Sequence, residues 1–226
     1  MLTLDRPEAR NAFDQALYRG LAVHLRSAAA ADAVHVLVLT ATGPAFSAGQ
    51  DLNEMALLAR GESLLGGAAG FTELLEALEA FDKPLIAAVN GAATGIGATL
   101  LLHCDLVVMA DIARLRMPFA ELGVPPEAAS SVLLPQRIGW QRAAELFFTA
   151  RWVGADEAVD LGLALRVVTV DELLPMTMAL ALEIAGKNPA AVRIAKRLML
   201  AARGDVTGPA RARENHGFVE LGFGSR

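Results

Sequence analysis

Two stretches carry residue types and spacings that can do chemistry: Phe46-Ser47-Ala48-Gly49-Gln50-Asp51-Leu52 and Asn90-Gly91-Ala92-Ala93-Thr94-Gly95-Ile96-Gly97. Each follows a short apolar run that reads as a strand. A turn from strand into helix leaves backbone N–H groups without intrahelical partners, and glycine lets a ligand come close to that backbone. Two such turns facing one another form an oxyanion hole, able to hold the oxygen of a thioester as it becomes an enolate. Backbone donors suit the task because they cannot rotate away and need no reorganisation as charge develops; each is worth about 3 kcal/mol. Taken singly, either turn is equally an ordinary strand-to-helix connection in which glycine meets only a dihedral demand.

The elements that must position these turns alternate. Val34 to Thr40 is an apolar, β-branched run ahead of Thr42, Gly43 and Pro44, and reads as a buried strand. Phe71, Leu74, Leu75, Leu78 and Phe81 fall at helical spacing. Leu85 to Val89 and Leu106 to Met109 read as strands on either side of the second glycine turn and a short helix, giving a layered α/β core. Gly61 to Gly70, rich in glycine and alanine, reads as a flexible loop. From Gln141 the pattern turns helical: Gln141 to Phe148, Ala155 to Leu161, Leu173 to Ala185 and Ala190 to Ala202, with Asp171 and Asn188-Pro189 as start signals. No linker separates the two parts, so residues 1–140 are expected to form the core and 141–226 a helical region packed on it, in one structural domain.

Composition narrows the classes of partner. The chain has 226 residues, 54% of them hydrophobic, enough to bury one large core. A net charge of −5 supplies no electrostatic reason to bind nucleic acid or an anionic membrane surface, which leaves a small molecule or another subunit. Cys104 is the single cysteine, so no intrachain disulfide is expected and a reducing compartment is the natural setting. The N-terminus does not combine a basic start with an uninterrupted apolar segment, so a cytoplasmic location is expected. Pro84 to Ala110 is mostly apolar and long enough to span a bilayer, which takes roughly 20 residues. Asn90, Gly91, Gly95, Gly97, His103 and Asp105 interrupt it, and irregular backbone is poorly tolerated facing lipid, so buried core is expected. No His, Cys and Asp residues stand at metal-ligand spacing, no Gly-Lys-Ser/Thr loop is present, and glycines 91, 95 and 97 miss the G-x-G-x-x-G pattern.

Four blocks occur in an order that resembles a known family: Arg6-Pro7-Glu8-Ala9-Arg10-Asn11-Ala12-Phe13, the first glycine turn, Lys83-Pro84-Leu85-Ile86-Ala87-Ala88-Val89-Asn90-Gly91, and Cys104-Asp105-Leu106-Val107-Val108-Met109-Ala110. They are similar to the crotonase (enoyl-CoA hydratase/isomerase) superfamily, over about Leu2 to Asn215. The resemblance implies an α/β fold, the crotonase (ClpP-like) spiral of ββα units with a helical C-terminal region that packs on neighbouring subunits. A homotrimer or a hexamer built as a dimer of trimers follows, acting on an acyl-CoA with no cofactor beyond the coenzyme A of the substrate. It also implies that the oxyanion donors are the Gln50 and Ile96 N–H groups and that Ala48, Gly49, Gln50, Asp51, Leu52, Asn53, Gly95 and Ile96 contact the substrate. Relatives usually carry a strand before the position of Leu2 and more helix after that of Phe218, so the chain is expected to be short at both ends of an acyl-binding tunnel.

The proton chemistry departs from the hydratases. The positions of their two glutamates hold Thr99 and Phe119, neither a carboxylate base near neutral pH. Instead Pro118-Phe119-Ala120-Glu121-Leu122-Gly123-Val124-Pro125-Pro126-Glu127-Ala128-Ala129-Ser130-Ser131 resembles the segment of peroxisomal-type Δ3,Δ2-enoyl-CoA isomerases that carries their catalytic glutamate, which maps to Glu127. Apolar neighbours such as Val124, Val132 and Leu133 would raise its pKa on burial, as suits a base that takes and returns one proton. On local sequence alone, Glu127 reads equally as a helix-start residue after Pro125-Pro126. Glu121, six residues away, could reach the same cleft, and His103 reads as a core histidine. The expected activity is double-bond isomerisation. The alternatives are hydration or hydrolysis within the same family, or a catalytically silent acyl-CoA-binding module.

Overall fold

The computed structural model describes residues 1–60 and 69–222. Most of the loop expected at 61–70 lies outside the described residues, and Ala69 and Gly70 already open a helix.

The chain opens with β1 (Leu2–Leu4) and α1 (Gln15–Ala30), then repeats one pattern. β2 (Leu37–Ala41) turns through Thr42 to Pro44 into the shorter β3 (Ala45–Ser47), followed by α2 (Leu52–Ala59) and α3 (Ala69–Ala80). β4 (Leu85–Val89) turns at Asn90-Gly91 into β5 (Ala92–Thr94), followed by α4 (Ile96–Thr99). β6 (Leu106–Ala110) leads to β7 (Arg114–Arg116), then α5 (Phe119–Leu122), α6 (Ser130–Ile138) and α7 (Trp140–Thr149). The remainder is β8 (Val153–Gly154), α8 (Ala155–Asp160), β9 (Arg166–Val168), α9 (Val170–Ala185), α10 (Pro189–Arg203) and α11 (Thr207–Glu220).

The longer strand of each unit enters a wholly parallel sheet, in the order β1-β2-β4-β6-β9. The shorter strand enters a second sheet, β3-β5-β7-β8, parallel except between β7 and β8. The chain therefore winds as a spiral of ββα units with helices following, the α/β fold expected. β2, β4 and β6 are apolar nearly throughout because parallel strands are covered on both faces; β4 is buried at every position. Adjacent corners of the spiral are tied by Asn90, whose Nδ2 donates to the Gly43 carbonyl at 2.8 Å.

One expectation is corrected. The residue pattern predicts each strand running into its glycine turn and then into helix, but β3 and β5 intervene and belong to the second sheet. Three-residue strands such as Ala-Phe-Ser and Ala-Ala-Thr are too short to show a period of two. Pro84 to Ala110 folds as strand, corner, strand, helix and strand, and no described helix is long and apolar enough to cross a membrane. The C-terminal helices lie close to their expected spans. Thr169, rather than Asp171, caps α9 in a capping box with Glu172, and Asn188 caps α10 by accepting from the Ala191 N–H at 3.0 Å.

Candidate active site

The first turn is held from outside by the segment Arg6 to Phe13. The Phe13 N–H donates to the Gly49 carbonyl at 2.7 Å and the Asp51 N–H to the Phe13 carbonyl at 2.9 Å, while the Ala48 N–H donates to Arg10 at 2.9 Å. In extended backbone successive peptide groups point to opposite sides, so the Gln50 N–H between those bonds faces away from Phe13. Asn11 is fully buried and supplies three further bonds: its Oδ1 accepts from the Arg6 N–H at 2.8 Å, and its Nδ2 donates to Thr42 at 2.8 Å and Ala45 at 2.9 Å. Arg6 pairs with Asp51 at 2.7 Å. Burial opposes ionisation of Asp51, but that bond and the N–H groups of Asn53 and Glu54 outweigh it and hold the carboxyl below its ordinary range.

The second turn meets the first backbone to backbone. Gly95 donates to the Arg116 carbonyl at 3.0 Å and accepts from the Ala98 and Thr99 N–H groups, each at 2.9 Å. Ile96 opens α4, so its N–H has no intrahelical acceptor. Among the described residues no hydrogen bond engages the Gln50 or the Ile96 N–H. Glycine is needed where the turns touch. Gly49 has φ of 93°, and a Cβ there would lie 2.8 Å from the Thr94 carbonyl oxygen; Gly95 has φ of 53° and faces the Gly49 Cα.

Both turns open on a cavity of about 420 Å³. Ala48, Gly49, Gln50, Leu52, Gly95 and Ile96 line it, whereas Asp51 and Asn53 do not. Asp51 is turned to Arg6 and to the start of α2, where its Oδ1 accepts from the Asn53 N–H at 2.9 Å. Met55, Phe71, Phe119, Leu122, Val124 and Phe218 give much of the remaining lining an apolar character, with Gln15 and Asn215 among them. Phe119 is thus wall, and Thr99 is fully buried off the cavity with its hydroxyl donating to Gly95 at 3.3 Å.

Glu127 reaches this cavity and is the one carboxylate among the described residues lining it. It lies in the loop before α6, and no hydrogen bond to its side chain is seen among the described residues. Burial, and after it the charge of Glu214, pushes its carboxyl up to about 8. The helix-start role is filled by another residue: Glu214 of α11 accepts from the Ala129 N–H at 2.8 Å and from the Ser131 N–H at 2.9 Å. Val132 and Leu133 do not line the cavity. Glu121, expected within reach, does not line it either; it is exposed and paired with Arg116. His103 is buried, pushed down to about 4 by that burial, and its Nε2–H donates to the Ala128 carbonyl at 2.9 Å.

Sequence reasoning missed Tyr18 and Glu214. Tyr18 is fully buried, and its hydroxyl donates to the Gln50 side-chain oxygen at 2.6 Å. Burial, then the charges of Glu127 and Glu54, pushes its phenol well above the ordinary range, so it stays neutral. Neither residue falls in a recognisable motif; Tyr18 packs with Phe13 and Phe71 in an aromatic cluster that no local spacing announces. A carboxyl of raised pKa lining the same largely apolar cavity as two turns with unengaged backbone donors is an arrangement for moving a proton beside a developing oxyanion.

The family model described as enoyl-CoA hydratase/isomerase matches residues 1–221. The chain belongs to the enoyl-CoA hydratase/isomerase family. It is 38% identical over 201 residues to 2,3-dehydroadipyl-CoA hydratase of Escherichia coli K12, covering 88% of this chain and 77% of that one. It is 36% identical over 187 residues to 1,2-epoxyphenylacetyl-CoA isomerase of the same organism, covering 81% and 71%. Among solved structures, an enoyl-CoA hydratase/isomerase from Pseudoalteromonas atlantica superposes with a TM-score of 0.91 at 36% identity, covering 97% of this chain and 86% of that one. Relatives in this enoyl-CoA hydratase/isomerase family are thus named for both reactions, and membership alone does not select between them.

Proposed function

We propose that the protein is a Δ3,Δ2-enoyl-CoA isomerase. The observation that carries this reading is that Glu127 is the one carboxylate among the described cavity residues, with Thr99 and Phe119 at the positions of the hydratase pair. In the proposed reaction the Glu127 carboxylate takes an α-proton from a 3-enoyl thioester; the C–H electron pair becomes the C1=C2 bond, conjugated with the existing C3=C4 bond, as the carbonyl π pair moves onto the thioester oxygen. The Gln50 and Ile96 N–H groups hold that oxygen as a dienolate, and Glu127 returns the proton at the γ-carbon, leaving the conjugated 2-enoyl thioester. Ala48, Gly49, Leu52 and Gly95 are proposed to contact the substrate, and no cofactor enters beyond its coenzyme A.

Assembly and setting belong to the same reading. Leu182, Leu198 and Met199 on α9 and α10 are exposed at 67, 66 and 71%, apolar surface that a trimer or a dimer of trimers would cover. The single, buried thiol of Cys104 fits a reducing, cytoplasmic setting. A hydratase reading is favoured by the name of the 2,3-dehydroadipyl-CoA relative. The test is incubation with 3-enoyl-CoA and with 2-enoyl-CoA while following conjugated-thioester absorbance. Absorbance should grow with the first and persist with the second. Hydration of crotonyl-CoA at kcat/KM of about 10⁴ M⁻¹s⁻¹ or more would replace the isomerase assignment with the hydratase one.

A further inference from the structure

The loop that carries Glu127 has an unusual backbone and an unusual anchor. Ala128 and Ala129 follow one another in the left-handed region, with φ of 59° and 57°. Alanine adopts this conformation only where its surroundings hold it there. Ala129 also stands at the N-cap of α6, and alanine has no side chain to satisfy the helix's free donors. Both needs are met from one place. Glu214 is 5% exposed and sits 85 residues further along the chain, with Oε2 on the Ala129 N–H and Oε1 on the Ser131 N–H. His103 holds the turn from the other side through the Ala128 carbonyl.

We propose that Glu214 is a positioning residue: clamped on the Ala129 and Ser131 N–H groups, its carboxylate holds the two-alanine turn on α11 and so fixes where the Glu127 carboxyl enters the cavity. The proposal rests on the isomerase reading, in which Glu127 is the base. A two-handed bond from a carboxylate to backbone N–H groups is both short and directional, which a neutral cap does not match. Glu214 also acts on Glu127 through its charge. Tyr18 of α1 keeps its phenolic proton, with Glu54 of α2 acting on it. His103 is neutral at pH 7, with Arg137, Arg203 and Arg211 facing it. Burial first, and then the charge of Glu214, favours the protonated form of Glu127.

The test compares wild type, Glu214→Gln and Glu214→Asp by the pH profile of isomerisation, with melting curves on each. Glu214→Gln keeps one acceptor and removes the charge, so the acid limb of kcat/KM should move down by roughly one pH unit, while kcat falls about 10-fold as the loop loosens. Glu214→Asp keeps the charge but is one methylene short, so the limb should stay and kcat should fall. A residue with a purely structural role would lower the melting temperature and leave kcat and the limb of the folded enzyme where they were; that result in either variant overturns the proposal. Where a variant does not fold, hydrogen exchange on the wild type decides: the Ala129 and Ser131 amides should exchange as slowly as the core of α6, and fast exchange overturns the clamp. Glu127→Gln is assayed alongside. If it is active, the isomerase reading falls; if it is inactive while the Glu214 variants behave as wild type, only the positioning role falls.

Discussion

The two sides of the cavity are built by different means. The glycine turns are held chiefly by backbone bonds from their neighbours in the spiral, Phe13 to Gly49 and Asp51 on one side and Arg116 to Gly95 on the other, with the Arg6–Asp51 pair beside the first. The Glu127 loop is held by side chains, Glu214 and His103, that arrive from distant parts of the chain. Backbone bonds place a donor with little dependence on residue identity, and the same N–H serves in any variant that keeps the turn. A side-chain clamp brings charge as well as position, so it sets both where the acid stands and how tightly it keeps its proton. One half of the site is rigid scaffolding and the other is tunable.

The largest effect should come from the tunable half. Glu127→Gln keeps the size of the side chain but cannot take a proton, so kcat should fall about 10³-fold with acyl-CoA affinity nearly unchanged. Steady-state kinetics with calorimetry of a non-isomerisable acyl-CoA measure both, and Glu121→Gln, paired with Arg116 outside the cavity, should behave as wild type. A silent binding module would give no turnover to lose.

Damage to the rigid half should follow closely. Gly49→Ala puts a Cβ 2.8 Å from the Thr94 oxygen at φ of 93°, so the two turns must part. The expected loss in kcat is about 10²-fold, similar to removing one oxyanion donor, with a lowered melting temperature. If the enzyme stays fully active, the donors are not where the turns meet.

The pH dependence separates the halves again. A base with its pKa at about 8 must lose its proton first, so kcat/KM should rise as pH rises towards 8, and the backbone donors contribute no limb of their own. Stability should run the other way. The folded pKa is raised above the unfolded value of about 4.3, so the stability given by neutral Glu127 is complete below about pH 4 and is lost as pH rises through about 8. Glu127→Gln, neutral throughout, should melt above wild type at pH 8 and lose that advantage near pH 4, as thermal denaturation across the range would record.

The smallest effect should be Tyr18→Phe. It removes the hydroxyl that holds the Gln50 side chain, but the Gln50 N–H is placed by Phe13. The expected cost is about 1 kcal/mol of stability and a few-fold in kcat. A loss near that of Gly49→Ala would mean that the oxyanion side depends on a side chain after all.

Much of this was legible along the chain. The strands at 85–89 and 106–110 are continuous apolar runs, and the C-terminal helices carry clear 3.6-residue periods with Asn188-Pro189 as a cap. The glycine turns were legible because glycine appears where the backbone demands it. The short strands β3 and β5 were not, because three residues of alanine, serine, threonine and phenylalanine carry no usable period and their pairing is decided by the second sheet.

The longer strands, the helices between 141 and 202 and the two glycine turns follow from local residue types alone, and the resemblance to the family adds that Thr99 and Phe119 stand where hydratases carry glutamates. The folded chain alone brings Gly49 against Gly95, turns Glu121 outward to Arg116 while Glu127 turns in, and sets Glu214 on the start of the helix after Glu127. The physical reason is range. Backbone preference and hydrophobic period act over a few residues, whereas a carboxyl's proton affinity depends on what burial and distant charge bring around it. Glu214 is 87 positions from Glu127 in the chain, and no local pattern could have placed its charge beside that proton.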